Sequence, residues 1–180
     1  MVARSRFLPL IAVLAGWLAG CGGDPSGGTP APSAGAVQGP SQRIRYFAGE
    51  ERREGRVVWK LGAEEANVFP DRKVTEVTEP KIVFYKKGKA VSRLTAKRGR
   101  VMDETRDLEA EGHVVVVSLE REERVLTERL KWSNSAGKIS SDAAVKQVTP
   151  DRVVTGIGFE CDPDLTRLDI LKDAKAEVKK

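Results

Sequence analysis

Two cysteines, Cys21 and Cys161, and one histidine, His113, are the side chains of this 180-residue chain best suited to covalent or metal chemistry. A nucleophilic Cys161 needs a base beside it, and His113 is the sole imidazole, with no motif around either residue. The chain has no Ser-x-Gly elbow and no Cys or His pairs at metal-ligand spacing. Gly156-Ile157-Gly158 is not a nucleotide loop, because no third glycine follows and Phe159 continues a strand pattern. Strand glycines of this kind mark a bulge or a close approach of another backbone. The run Glu120-Arg121-Glu122-Glu123-Arg124 reads as a solvated hairpin end. No catalysis, no cofactor and no metal are therefore expected.

Cys21 is different, because its surroundings specify a modification. Arg4 and Arg6 precede an apolar run from Phe7 to Gly20, the order of a secretory signal segment. That run has 14 residues, short of the roughly 20 that a membrane-spanning helix needs. Its end, Leu18-Ala19-Gly20-Cys21, resembles a bacterial lipobox. The resemblance implies cleavage after Gly20 and a lipid on the Cys21 sulfur, so residues 1–20 are expected to be a signal peptide. A triacylated Cys21 exceeds the two chains that stable anchoring takes, and it leaves Cys161 without an intramolecular partner. Residues 22–42 are dominated by Gly, Pro, Ser and Ala with no apolar period, the composition of a flexible tether. A linker of this length spans roughly 25 Å on average. Without Arg4 and Arg6 the chain keeps 29 basic and 26 acidic residues, a charge of +3, with no basic tract that argues for nucleic acid.

From Arg43 onward, short apolar segments alternate with turn signals such as Lys87-Gly88, Thr149-Pro150-Asp151 and Asp162-Pro163-Asp164. Strands are predicted near 44–47, 57–63, 74–78, 81–86, 90–96, 99–103, 107–111, 113–119, 124–132, 138–143, 144–149, 153–159 and 165–171. This is an all-β pattern, a sandwich, barrel or roll. A folded domain is expected over 43–175, followed by a charged tail at 176–180; Leu171–Lys180 reads as a helix or a frayed tail. Apolar–polar openings recur at Leu94, Leu108, Leu126, Ile139 and Val154, at spacings of 14, 18, 13 and 15 residues. One strand and one turn per unit suit a continuous roll.

Alternation assigns the faces. Trp59 and Leu61 share one phase, as do Leu130 and Trp132, then Val153, Thr155, Ile157 and Phe159, then Leu168 and Ile170. Phe84, Leu94, Val101, Leu108, Val114, Val116 and Ile139 complete the inward set. The run Val114–Val117 is apolar on both faces, either a covered central strand or one whose outer face meets something apolar. Taken singly, each inward residue is simplest as dry core. Taken together between two splayed sheets, they would line a groove suited to acyl chains.

The order of these segments resembles the LptC family of periplasmic lipopolysaccharide-export proteins, related to LptA and OstA-like domains. The resemblance covers roughly Arg43 to Lys175. It is carried by Trp59-Lys60-Leu61-Gly62-Ala63, Leu94-Thr95-Ala96-Lys97, Leu108-Glu109-Ala110-Glu111-Gly112, Leu126-Thr127-Glu128-Arg129-Leu130 and Val154-Thr155-Gly156-Ile157-Gly158-Phe159. It implies a twisted, V-shaped antiparallel β-jellyroll open at both ends, through which lipopolysaccharide acyl chains pass without covalent chemistry. It further implies three partners: lipopolysaccharide, the inner-membrane lipopolysaccharide ABC transporter, and LptA. LptA would pair with the carboxy-terminal strands through Val153, Thr155, Leu168 and Ile170. Many family members use a transmembrane helix where this chain has Cys21, so a lipid anchor on the periplasmic face of the inner membrane is expected. In enteric bacteria, inner-membrane retention usually involves Asp after the lipidated Cys; here Gly22 follows, and that rule points to the outer membrane. The competing expectation is a structural or assembly lipoprotein that binds proteins by its strand edges and carries no lipid.

Overall fold

The computed structural model describes residues 39–179. The expected signal segment, Cys21 and most of the expected tether lie outside them. Eleven strands form in chain order: β1 (Gln42–Arg53), β2 (Arg56–Phe69), β3 (Val74–Thr78), β4 (Lys81–Lys86), β5 (Lys89–Thr95), β6 (Arg98–Met102), β7 (Leu108–Ser118), β8 (Arg124–Ser133), β9 (Lys138–Val148), β10 (Arg152–Cys161) and β11 (Leu168–Val178). All ladders are antiparallel, and a 3-10 turn at Pro70–Arg72 joins β2 to β3.

The register shows how one sheet becomes two facing leaves. The first halves of β1, β7, β9 and β11 and the second halves of β2, β8 and β10 form one leaf with β3 and β6. The remaining halves form the other leaf with β4 and β5. Between the leaves the long strands bend where the ladders break: at Glu111/Val114 in β7, Thr127/Lys131 in β8 and Ile157/Phe159 in β10. Positive φ angles at Tyr46, Gly112, His113, Gly158 and Asp173 fall on the same line. A bulge adds a residue and bends its strand, and a row of them creases the sheet. At the crease the branches are stitched by Glu79 N–H to Lys97 O, Ala96 N–H to Pro80 O and Lys97 N–H to Gly112 O.

The core fills the space between the leaves. Inward rows on the β4–β5 leaf read Trp59–Phe84–Ser92–Ser118 and Leu61–Ile82–Leu94–Val116 along successive ladder partners. They meet Leu108, Leu130, Trp132 and Ile139 of the facing leaf in one cluster. Phe84 and Trp132 touch across the gap, with ring centroids 4.9 Å apart.

The structure departs from the sequence reading in four places. The predicted strands at 107–111 and 113–119 are one strand, β7, with Gly112-His113 as its bulge; those at 138–143 and 144–149 are one strand, β9. β1 runs to Arg53 and β2 to Phe69, well beyond the apolar stretches that signalled them. The segment expected as a helix or frayed tail from Leu171 is strand as far as Val178, because β11 continues to that residue, paired with Arg152–Thr155. Ile157 points outward and is 44 % exposed, whereas Phe159 is fully buried. At Gly158, φ 70°, the backbone turns over where the register with β9 shifts, and the phase reverses.

Candidate functional site: an apolar interior between unpaired edges

The order of the sheet leaves two strands with one neighbour each. Among the described residues β1 pairs only with β2, and β11 only with β10. Val153 and Thr155 are therefore not on a free edge as expected: β10 is laddered on both sides, by β9 and β11. The free carboxy-terminal edge is β11, which carries Leu168 and Ile170, both half-buried, and Leu171, exposed. An unpaired strand presents a row of free N–H and C=O groups that another chain can template on.

Trp59, Leu61, Phe84, Leu94, Val101 and Leu108 are all buried in the single core, and so are Val114, Val116, Leu130, Trp132, Ile139 and Phe159. Leu168 and Ile170 pack against that core at the β11 end, and Phe47 and Val58 do so at the β1–β2 end. The apolar interior thus extends from one unpaired edge to the other. It is closely packed in this state. Trp132 and Phe159 are too deeply buried for a charge there to report on a groove; Trp132→Arg or Phe159→Asp would lose the fold, since an unpaired buried charge is strongly unfavourable. On the outer face, Val117 and Ile157 are part-exposed.

Opposite the crease, the hairpin tips of the two leaves meet and close a mouth. Lys86, at the end of β4, donates to Asp164 in the β10–β11 loop. Arg121 of the β7–β8 turn donates to the Asp164 carbonyl at 2.9 Å. Arg53 donates to the Asn134 carbonyl, and Arg106 approaches Glu51 at 3.8 Å. Of these, Asp164 was read in the sequence as turn chemistry, Arg121 as part of a solvated hairpin end and Lys86 as the end of a strand. Glu123 of that run is in fact buried, held by Gln147 at 2.7 Å and Arg121 at 3.0 Å.

Asp164 is the titratable centre of the mouth. Burial pushes its carboxyl up, but hydrogen bonds from Lys86 and Thr166 outweigh that and hold it below its ordinary value of 3.8. A carboxyl whose pKa is lowered by folding adds stability above its unfolded value and loses it as the pH falls through the folded value. We expect Asp164→Asn to cost about 1 kcal/mol at neutral pH, the pair being screened on the Lys86 side. The difference from the parent should shrink in unfolding titrations as the pH falls below 3.8 and vanish once it is below the lowered folded-state value, and a deficit that persists there would remove the ionic account.

A cleft of about 500 Å³ opens over the crease, with Leu130 and Phe159 at its base and Leu171 on its wall. There the β8–β9 ladder is interrupted, and side chains replace it: Thr127 Oγ1 donates to Ala144 O at 2.9 Å and Ser141 Oγ to Arg129 O at 2.6 Å. Cys161 lies in the core, its thiol pushed up to about 12 by burial and then by nearby Asp162 and Glu123. It is protonated at neutral pH and is no nucleophile. His113 sits on the β7 bulge, its backbone N–H bonded to Glu128. Among the described residues no group of three His, Cys, Asp or Glu side chains could hold a metal ion.

The family model for lipopolysaccharide-assembly, LptC-related proteins matches residues 8–179. The chain belongs to that family. Among solved structures it is similar to LptH, described as the LptA-homologous periplasmic component of the conserved lipopolysaccharide transport device from Pseudomonas aeruginosa. The two share 8 % identity with a TM-score of 0.54, over 68 % of this chain and 95 % of that one. At that identity the likeness speaks to the fold, and it agrees with the expected antiparallel jellyroll. No curated protein matches the chain by sequence. Membership of the LptC-related family gives the chain a role in lipopolysaccharide transport.

Proposed function

We propose that this protein is a non-enzymatic lipopolysaccharide carrier. It would receive the lipid from the inner-membrane ABC transporter and pass it to LptA, held at the periplasmic face of the inner membrane by lipid on Cys21. The observation that carries this reading is the apolar interior running from Phe47 and Val58 at one free edge to Leu168 and Ile170 at the other. Edge pairing would bring a second jellyroll into register with it, so that an acyl chain could cross without meeting water. Exposing one methylene to water costs about 0.8 kcal/mol, which makes a continuous apolar path the main physical requirement. The packed interior has to open for passage, and the polar contacts at the mouth are where the two leaves would part.

Photo-crosslinking tests it. A photoreactive residue at Leu130 or Ile170, in the full chain in membranes containing lipopolysaccharide, is expected to give lipid adducts that increase when the transporter hydrolyses ATP. The same probe at Tyr46, 87 % exposed on β1, should give none. The tight packing of the interior favours a second reading, a protein bridge that works by its edges alone. Adducts with protein from Leu171 and no lipid adduct from either interior position would establish that reading in place of carriage.

A further inference from the structure

Four buried side-chain atoms have no hydrogen-bond partner among the described residues, Asn134 Oδ1 at the rim and, deeper, three donor groups: the indole N–H of Trp59, the indole N–H of Trp132 and the hydroxyl of Ser92. The residues of these three donors are 3 %, 3 % and 0 % exposed. All three surround Phe84. Trp59 and Ser92 are its ladder partners on β2 and β5, and Trp132 packs on its ring from the facing leaf. Natural interiors pair nearly all buried polar groups, and each one left unpaired is costly. Three around one ring make a polar layer inside an otherwise aliphatic core. An indole N–H can only donate, so both tryptophans call for an acceptor.

The layer lies just inside the mouth. Along β4, Phe84 is two residues from Lys86; along the β8 hairpin, Trp132 is two residues from Asn134, which accepts from Arg53. Below it come the purely aliphatic rows of Leu61, Ile82, Leu94 and Val116. From rim to floor the order is charged side chains, with Lys86 and Arg121 against Asp164 and Arg106 near Glu51, then neutral donors, then hydrocarbon. An acylated anionic glycolipid has the same order: phosphate, then carbonyl or chain hydroxyl, then alkyl chain.

We propose that Trp59, Ser92 and Trp132 form a subsite for the oxygen atoms of an acyl chain, its ester or amide carbonyl or a chain hydroxyl. The subsite deepens the carrier reading and rests on it. It makes the interior selective for oxygen-bearing chains over plain alkyl chains.

The test compares two lipids on the full chain held in nanodiscs of diether phospholipid, which brings no carbonyl. One is a glucosamine phosphate bearing an amide-linked hydroxylauroyl chain. The other is the matching lauryl glycoside phosphate, with neither carbonyl nor chain hydroxyl. The first is expected to bind about tenfold more tightly, the worth of one or two neutral hydrogen bonds. It alone should move the Trp59 and Trp132 indole proton signals downfield. Ser92→Ala should lower that preference several-fold. The variant will fold, since removing an unpaired buried hydroxyl is neutral or stabilising. Equal affinities, or indole signals that respond alike to both lipids, overturn the subsite and leave the carrier reading standing; the donors then pair with internal water. Binding of neither lipid overturns both.

Discussion

Phe84→Ala is expected to cost about 3–5 kcal/mol, a large part of the stability of a domain this size. Phe84 is fully buried at the point where the two leaves touch. Its ring contacts Trp132 at 4.9 Å and stands between Trp59 and Ser92 along the inward row. Truncation leaves a cavity that cannot collapse, because both walls belong to different leaves whose spacing is set by all the other core side chains. The leaves should loosen as well as destabilise, so the slope of unfolding with denaturant should fall together with the midpoint. Tyr85→Ala, one residue along β4 and outside the core cluster, should cost less than about 1.5 kcal/mol. Denaturant unfolding of the two variants side by side measures the difference. A loss below about 1.5 kcal/mol for Phe84 would mean that the leaves are not held together through this contact.

That contact was partly legible in advance. Period-two alternation put Trp59, Leu61, Leu130 and Trp132 inward, and they are inward, because a strand that is straight over four residues keeps its phase. Phase was lost where a bulge intervenes. Val153, Thr155 and Ile157 were read in step with Phe159, and Gly158, at φ 70°, puts them out of step. The same glycine pair was the one visible sign of that bend. Strand ends were lost for another reason: the later part of β1 and most of β11 bury almost nothing, so no apolar signal marks them. Their ladders with β2 and β10 hold them. The mouth was illegible because Lys86, Arg121 and Asp164 lie far apart in the chain and meet only once the leaves fold over each other. Ser92, in step with Leu94 on an inward face, was the one polar residue whose position could have drawn attention.

Gly156→Ala is expected to release the β11 edge. A β-carbon at Gly156 would lie 2.4 Å from Ile170 Cγ2 and 2.8 Å from the Lys172 carbonyl oxygen. The Ile170 side chain can rotate away, but a ladder carbonyl cannot, so β11 has to move off β10. The added methyl costs about 1–3 kcal/mol by overpacking. The core loses little, since β11 is exposed over most of its length beyond Ile170. The change therefore separates edge from core. Amide exchange in Leu168–Val178 should accelerate about tenfold or more while β4 and β7 stay protected, as expected of a locally unfolding edge. Any partner that adds a strand to β11 needs that edge ordered, so crosslinks from Leu171 to a neighbouring jellyroll should fall in parallel. Gly62→Ala is the matching control: its β-carbon meets nothing within 4 Å, and neither exchange nor crosslinking should change. If Gly156→Ala leaves β11 protected and the crosslinks intact, the edge is not held by this close approach. If it frees β11 but partner crosslinks persist, the partner docks elsewhere, and the free β1 edge, which keeps its full ladder with β2, becomes the place to look.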